Sequence, residues 1–284
     1  MQGMDFNCVL PNSLLQSGLI SQLSGEQLDG VFWVREASST QDLARAFVRG
    51  SSRPVTAVFV ADAQSAGRGT HGRSWKTPVA SVLMTVVAAP QAGLQDLSGL
   101  PVAAGMATAR VLRSINPAVC VKWPNDLWLH EGKLAGILCE TCRDARGVLH
   151  VAAGIGVNIA LEARTIEAVS GEGGCRPAAL LDAGDARCGG RGLDNLRISV
   201  AALAARALIR TIRSFSSASR AQLCSLWVSY DALAGRRVRV LPAEDDPRAD
   251  PVVGVNCGIT RQGELVLMTP QGRRIVASGT LRPE

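Results

Sequence analysis

A glycine-rich segment between two apolar stretches constrains the fold more than any other part of this sequence. Residues 64–75 read QSAGRGTHGRSW, and Gly67, Gly69 and Gly72 have the G-x-G-x-x-G spacing of a dinucleotide-binding loop. Such a loop follows a strand, opens a helix, and is followed about twenty residues later by an acidic residue. Here a strand precedes the loop, but Pro78 follows it and the chain continues into the apolar run VASVLMTVVAAP. The context therefore excludes a Rossmann fold and predicts a loop between two strands.

The same loop carries groups that suit an anionic ligand. Its glycines allow successive backbone N–H groups to converge on an anion, and Arg68 and Arg73 add charge-assisted donors. Trp75 supplies a flat surface on which a ring can stack. On composition alone, an ordinary surface loop is an equally good interpretation. Other parts of the sequence have to decide between the two.

Lysine is rare in this chain and is confined to one region. Of the 30 Lys plus Arg residues, only Lys76, Lys122 and Lys133 are lysines. Lysine is a compact point charge that arginine does not replace, so the clustering indicates a shared site, with coincidence as the alternative. The net charge of +6 would fit nucleic-acid binding, but the basic residues are spread along the chain without a Lys/Arg run.

The predicted elements indicate a mixed α and β domain followed by short strands. Ser39 and Asp42 mark the start of a helix that ends at Gly50. Helical periodicity also covers residues 97–115, and alanine-rich helices cover residues 195–228. The predicted strands cover residues 31–36, 54–62, 79–90, 118–123, 132–142, 147–160, 235–241, 251–259, 263–269 and 273–281.

Three further motifs follow the glycine loop. VKWPNDLWL places Lys122 at the end of a strand beside a Pro-Asn-Asp turn, where an ammonium group can meet a phosphate or a carboxylate. GKLAGILCE places Lys133 before a buried strand. GIGVNI has Gly154 and Gly156 inside a strand, which commonly marks close approach of a ligand, and Asn158 can read a base or a ribose. Any one of these motifs alone is weak.

In this order, the motifs resemble those of biotin protein ligases, also called biotin–[acetyl-CoA-carboxylase] ligases. The family patterns GRGRxGRxW, KWPND, KLxGILxE and GIGxN stand here as GRGTHGRSW, KWPND, KLAGILCE and GIGVN, and SSTQD resembles the family's S-T-N/Q segment. The C-terminal GITRQGELVLMTPQGRRIVASGTL is similar to the family's small SH3-like domain. Four motifs in register with this tail make the resemblance specific over residues 31–284.

The resemblance implies an α+β fold, with a mixed β-sheet flanked by helices, like class II aminoacyl-tRNA synthetases, and a small C-terminal SH3-like β-barrel. It divides the chain into an N-terminal extension (1–30), a catalytic biotin- and ATP-binding domain (31–230) and the SH3-like domain (231–284). The implied reaction makes biotinyl-5′-AMP from biotin and ATP. It then transfers the biotinyl group to a lysine of the biotin carboxyl carrier domain of acetyl-CoA carboxylase. Mg²⁺ is expected to come with the ATP phosphates rather than in a protein metal site.

The resemblance also implies a role for each matched residue. The residues expected to act in catalysis are Lys122 and Arg68. The residues expected to bind biotin are Ser39, Thr40, Gln41, Gln64, Arg68, Gly69, Thr70, Lys122, Gly154 and Gly156. The residues expected to bind ATP or the adenylate are Arg68, Arg73, Trp75, Asn125, Lys133 and Asn158.

One position departs from the family pattern. After the second glycine of its loop motif the family has an arginine, where this chain has Thr70 followed by His71. A positive contact to the intermediate is then missing, so we expect weaker retention of biotinyl-AMP and stray lysine modification. His71 is interpreted as a solvated loop residue, with partial replacement of the arginine as the alternative.

Two other functions fit parts of the sequence. A lipoate- or octanoate-type ligase shares the fold, but is not expected to combine GRGTHGRSW, KWPND and this C-terminal domain. A biotin-binding regulatory protein is the second alternative; its repressor form needs a DNA-reading helix-turn-helix, for which the residues before Val31 are too few.

The sequence also leads to expectations about location, assembly and thiols. No export signal or membrane span is visible, so we expect a cytoplasmic protein with no DNA or membrane partner, as a monomer or a homodimer. The Cys139-Glu-Thr-Cys142 segment lacks a second ligand pair, which predicts reduced thiols rather than a zinc or redox site.

Overall fold

The computed structural model describes residues 12–70, 75, 80–161, 176–181, 190–242 and 250–284. Within these residues the chain forms a seven-stranded mixed sheet and a five-stranded antiparallel sheet. None of the described helices is long and apolar enough to cross a membrane.

The larger sheet is built from the first seven strands of the chain. These are β1 (Gly30–Ala37), β2 (Ala57–Gln64), β3 (Ala80–Ala88), β4 (Cys120–Lys122), β5 (Asp126–Leu129), β6 (Gly132–Arg143) and β7 (Leu149–Ala160). Their order is β1-β2-β3-β7-β6-β5-β4. β1 and β2 are parallel because a helix crosses between them, and the other neighbours are antiparallel. The glycine loop therefore joins two adjacent strands, β2 and β3, as the sequence predicts.

Helices pack on both faces of this sheet. The described helices are α1 (Ser13–Gln22), α2 (Thr40–Arg49), α3 (Leu100–Leu112), α4 (Arg191–Ser214), α5 (Ser217–Ala221) and α6 (Leu223–Trp227). α2 begins where the sequence predicts, because Ser39 has an extended backbone and its side chain accepts a hydrogen bond from the Gln41 N–H. Gly50 follows the last turn of this helix as its C-cap. The cap fixes the polar run 39–41 at the end of the helix that meets the sheet.

Two apolar clusters hold the helices against the sheet. On one face, Val58 and Val60 belong to a large cluster that includes residues of α1, α3 and α4. On the other face, Phe59 packs against α2, with ring centroids 5.0 Å from Phe32 and 5.5 Å from Phe47. Full burial of the Phe59 ring stabilises the fold by about 1.5–3 kcal/mol. This packing sets the position of α2 on the face that carries the cavities described below.

The smaller sheet is joined to the larger one beside Lys122. Its strands are β8 (Arg237–Leu241), β9 (Val252–Ile259), β10 (Leu265–Thr269), β11 (Gly272–Val276) and β12 (Thr280–Pro283), in the order β11-β10-β9-β8-β12. The Ala232 N–H donates to the Val121 carbonyl at 2.9 Å, which extends the edge of β4. The Trp123 indole N–H donates to the Gly263 carbonyl at 2.8 Å. The KWPND segment therefore holds the C-terminal sheet in place.

The structure differs from the predicted elements in three places. The strand predicted over 273–281 is two strands, β11 and β12, separated at Gly279, whose φ of 137° requires glycine. A further strand, β5, begins at the Asp of the Pro-Asn-Asp turn and is too short to give a periodic signal. Within the predicted extension 1–30, the chain forms α1, and Leu19 of this helix is fully buried.

The C-x-x-C cysteines lie on β6 as free thiols. Burial raises the pKa of the Cys139 thiol to about 12. In the part of the chain that the structure describes, no group of three or more His, Cys, Asp or Glu side chains could hold a metal ion. Burial therefore keeps the Cys139 thiol protonated at neutral pH.

This pKa predicts selective alkylation. At pH 8 the thiolate fraction of Cys139 is about 10⁻⁴, so iodoacetamide should modify exposed Cys257 and leave Cys139 intact in the folded protein. Peptide mass spectrometry after a short pulse measures both sites, and alkylation in denaturant is the control for peptide recovery. Equal modification of the two cysteines in the native protein would contradict the assignment.

Candidate active site

Two adjoining cavities lie on the α2 face of the larger sheet. The first encloses about 480 Å³ of space when its open mouth is included. Its lining combines the start of α2, the glycine loop and the middle of β3, β6 and β7. The second cavity is lined by the glycine loop, the KWPND segment and residues 279–281 of the C-terminal sheet. The two cavities share Gly69, Thr70, Trp75, Asn125, Asp126 and Lys133.

One end of the first cavity is polar but uncharged. The Thr40 N–H and hydroxyl both approach the Gln64 side-chain oxygen, at 2.7 and 3.1 Å. The Thr85 hydroxyl donates to the Thr40 hydroxyl at 2.8 Å. The Gln41 side-chain N–H₂ donates to the Leu138 carbonyl at 3.1 Å, and its side-chain oxygen is buried without a partner among the described residues. This end can therefore bind a compact polar group that has N–H donors.

The two strand glycines make room for side chains. A Cβ at Gly154 would lie 3.1 Å from the Gln41 side-chain nitrogen, and a Cβ at Gly156 would lie 2.5 Å from the Trp75 ring. Both glycines line the first cavity. In this structure, however, their missing side chains accommodate Gln41 and Trp75 rather than leaving open backbone.

A carboxylate lies between two of the three lysines. Lys133 Nζ is 2.7 Å from Asp126 Oδ1, and Lys122 Nζ is 3.5 Å from Asp126 Oδ2. Burial, the largest single influence, raises the pKa of the Asp126 carboxyl, but the two ammonium groups together outweigh it and leave that pKa lowered. Lys133 lines both cavities, whereas Lys122 lines the second. The junction of the cavities therefore carries fixed positive charge.

The predicted asparagines have structural partners as well. Asn125 donates to the Ile137 carbonyl at 2.6 Å and lines both cavities. Asn158 donates to the Ala178 carbonyl at 2.9 Å, and its side-chain oxygen is buried without a partner among the described residues. Asn158 is outside the described lining of the two cavities. The structure therefore does not place Asn158 in the wall of either cavity.

Arg68 is directed towards carboxylates in this structure. Its guanidinium lies 2.7 Å from Asp42 Oδ1 and 4.0 Å from Glu140 Oε2. Arg68 also lines the first cavity. Holding a phosphate would therefore require the side chain to exchange these carboxylates for the ligand.

The structure brings together most of the residues predicted for the site. Those that line one or both cavities are Ser39, Thr40, Gln41, Gln64, Arg68, Gly69, Thr70, Trp75, Lys122, Asn125, Lys133, Gly154 and Gly156. Arg73 lies outside the described residues. The prediction omitted Asp126, although its place in the KWPND motif, four residues after Lys122, is a signal that could have identified it.

The site thus combines two adjoining cavities with two ammonium groups and a carboxylate at their junction. The sequence profile of the biotin/lipoate A/B protein ligase family matches residues 33–158. The biotin–[acetyl-CoA-carboxylase] ligase of Mycobacterium tuberculosis is 33% identical over 275 residues, which are 93% of this chain and 91% of that protein. The chain therefore belongs to the biotin/lipoate A/B protein ligase family.

Two further comparisons define how far the similarity extends. The bifunctional ligase/repressor BirA of Escherichia coli is 32% identical over 210 residues, which are 73% of this chain but 60% of that protein. The biotin protein ligase from Aquifex aeolicus, solved in complex with biotin and ATP, has a TM-score of 0.66 and 22% identity, covering 90% of this chain and 100% of that one. This second likeness shows the fold, and confirms a mixed α/β architecture with a second antiparallel sheet.

Proposed function

We propose that the protein is an ATP-dependent biotin–[acetyl-CoA-carboxylase] ligase. The observation that carries this proposal is the pair of cavities joined at Lys133 and Asp126. The first cavity, with its uncharged polar end, suits the ureido ring of biotin. The second, with Lys122 in its wall, suits the phosphates of ATP. The named relatives and the ligands of the Aquifex structure support the same assignment.

The proposed chemistry has two steps. The biotin carboxylate attacks the α-phosphate of ATP, pyrophosphate leaves, and biotinyl-5′-AMP forms. The ε-amine of a carrier lysine then attacks the carbonyl of this anhydride, and AMP leaves. Two anions have to approach each other in the first step, so fixed cations at the junction of the cavities stabilise the transition state. Lys133 and Lys122 supply these cations.

Several finer features belong to the same proposal. We infer that Mg²⁺ enters with the ATP phosphates, because Mg²⁺ usually keeps water and phosphate ligands and needs few protein carboxylates. The carrier is a biotin carboxyl carrier domain, and the ligase acts as a monomer or a homodimer without DNA. We assign the C-terminal five-stranded sheet to an SH3-like barrel and the larger sheet to the class II synthetase type. Because ATP and the carrier meet in the cytoplasm, we place the reaction there.

Intact mass spectrometry tests the function directly. A purified biotin carboxyl carrier domain is incubated with the protein, ATP, Mg²⁺ and biotin, and a parallel reaction contains lipoate. One biotinyl addition supports the proposal. An addition with lipoate alone would assign the protein to the lipoate ligases, and no addition with either acid would favour a binding protein without transfer activity.

Thr70 provides a second test, because it lines both cavities at the position where the family has arginine. A charge-assisted hydrogen bond from an added arginine should slow the release of biotinyl-AMP about tenfold in the Thr70→Arg variant. Release is followed by rapid filtration of the preformed complex, and bystander lysine modification should fall in parallel. Equal release rates in wild type and variant would rule out this role for Thr70.

A further inference from the structure

Arg197 connects the two strands from which the glycine loop emerges. It lies on α4, and its side chain is 13% exposed. Its Nη2 is 2.6 Å from Asp62 Oδ1 on β2, and its Nε–H donates to the Ser81 carbonyl on β3 at 3.2 Å. Because α4 packs on the face opposite α2, Arg197 reaches these strands from behind the cavities.

The place of this contact in the sheet gives it a specific effect. The last hydrogen-bonded pair that joins β2 to β3 is Ala61 with Leu83. Asp62 is the next residue of β2 beyond that pair, and Ser81 lies two residues from Leu83 on β3, on the side where the two strands separate to form the glycine loop. Arg197 therefore replaces the missing backbone pairing with a side-chain bridge and fixes how far the strands separate.

The bridge is itself held in place. The Trp33 indole N–H donates to Asp62 Oδ1 at 3.0 Å, and the Asn12 amide donates to Asp62 Oδ2 at 2.9 Å. The guanidinium of Arg197 lies 5.3 Å from the centre of the Trp33 ring, in cation–π geometry. Trp33 is fully buried, so the carboxylate and the guanidinium have little freedom to move.

Both strands held by Arg197 continue directly into the first cavity. Gln64, two residues after Asp62, lines that cavity and accepts both hydrogen bonds from Thr40. Leu83, two residues after Ser81, lines the same cavity. We propose that Arg197 is a positioning residue that sets the spacing of these two walls, and thereby the affinity of the first cavity for its small-molecule substrate. This inference rests on the proposed function, under which that substrate is biotin.

The test compares the KM for biotin with kcat in full-length variants, using pyrophosphate release to follow adenylate formation. Arg197→Ala should raise the KM for biotin on the order of tenfold, because small displacements of positioning groups have effects of this size or larger. Arg197→Lys keeps a charge near Asp62 but lacks the planar guanidinium that reaches Ser81. Its KM for biotin should therefore lie between the KM of the wild type and that of Arg197→Ala. A purely structural role would lower the folded, active fraction and hence kcat, and would leave KM unchanged.

Arg213→Ala is the matched control. Arg213 lies on the same helix and ties down the opposite end of β2, donating to the Thr56 hydroxyl at 2.8 Å and the Gln27 carbonyl at 3.0 Å. The Arg213→Ala variant should have a lower melting temperature, as Arg197→Ala should, but its KM for biotin should equal the wild-type value. An unchanged KM in both Arg197 variants, or an equal rise in Arg213→Ala, overturns the inference. If Arg197→Ala does not fold, Arg197→Lys decides. A wild-type protein that releases no pyrophosphate with biotin refutes the proposed function instead.

Discussion

Replacing Lys122 with alanine is expected to slow adenylate formation by about 10²–10³-fold, while the affinity of the ATP-free protein for biotin stays unchanged. The first effect follows from charge. The Lys122 side chain is 8% exposed, so its ammonium group acts where water screens little, beside the cavity assigned to the phosphates. The second effect follows from position, because Lys122 lines the second cavity and is outside the described lining of the first. Pyrophosphate release measures the rate, and calorimetry with biotin alone measures the affinity.

Two further variants make this result specific. Lys133 lines both cavities, so Lys133→Ala should weaken biotin binding as well as slow the reaction. Arg210→Ala removes a cation of α4 that pairs with Glu26 at 3.0 Å on the surface, and should leave both quantities at the wild-type value. Loss of biotin affinity in Lys122→Ala would contradict the separation of the two cavities and would support the direct biotin contact expected from the family resemblance.

The secondary structure could be predicted where the signals are local. The start of α2 depends on an N-cap that Ser39 makes with its own helix, and its end depends on Gly50, so a short window of sequence contains both. The prediction of one continuous strand over 273–281 is wrong because the signal that breaks it is not local. Its break at Gly279 is set by contact with Leu241, where an added Cβ would lie 2.6 Å from the carbonyl oxygen, and no short window shows that neighbour.

The site could be predicted as a set of residues, but not as a set of contacts. The motifs identified Lys122, Lys133 and Gly156, which all line the cavities. The motifs did not show which of these residues contact each other or their neighbours. Asp126 meets Lys133 only because the β5–β6 hairpin folds back, and Gly156 meets Trp75 only because the Trp75 ring packs against β7. Such contacts depend on strand register, which motif spacing does not encode.

The pairing of Asp126 with the two lysines carries the second large prediction, an effect on stability. The Asp126→Asn variant replaces this carboxylate with a neutral amide. The ammonium groups of Lys122, which is almost fully buried, and Lys133 then lie close together without a counter-charge. The free energy of unfolding should fall by about 3 kcal/mol at pH 7. Urea unfolding of the ligand-free protein measures the difference. Asp231→Asn is the matched control, because Asp231 is also a partly buried carboxylate but has a raised pKa, owing mainly to burial.

The pH dependence distinguishes this pairing from a general loss of packing. The pKa of Asp126 is lowered in the folded protein from its ordinary value of 3.8. Between the folded-state pKa and 3.8, the folded state therefore binds fewer protons than the unfolded state. The stabilisation by Asp126 is therefore complete above about pH 5 and is lost as the pH falls through the folded-state pKa. The gap between wild type and Asp126→Asn should narrow below pH 4. For Asp231 the sign is opposite, and wild type should gain stability relative to Asp231→Asn as the pH falls through its raised pKa. A gap for Asp126→Asn that stays constant down to the lowest pH at which the protein folds would show that the carboxylate is not held ionised by the two lysines.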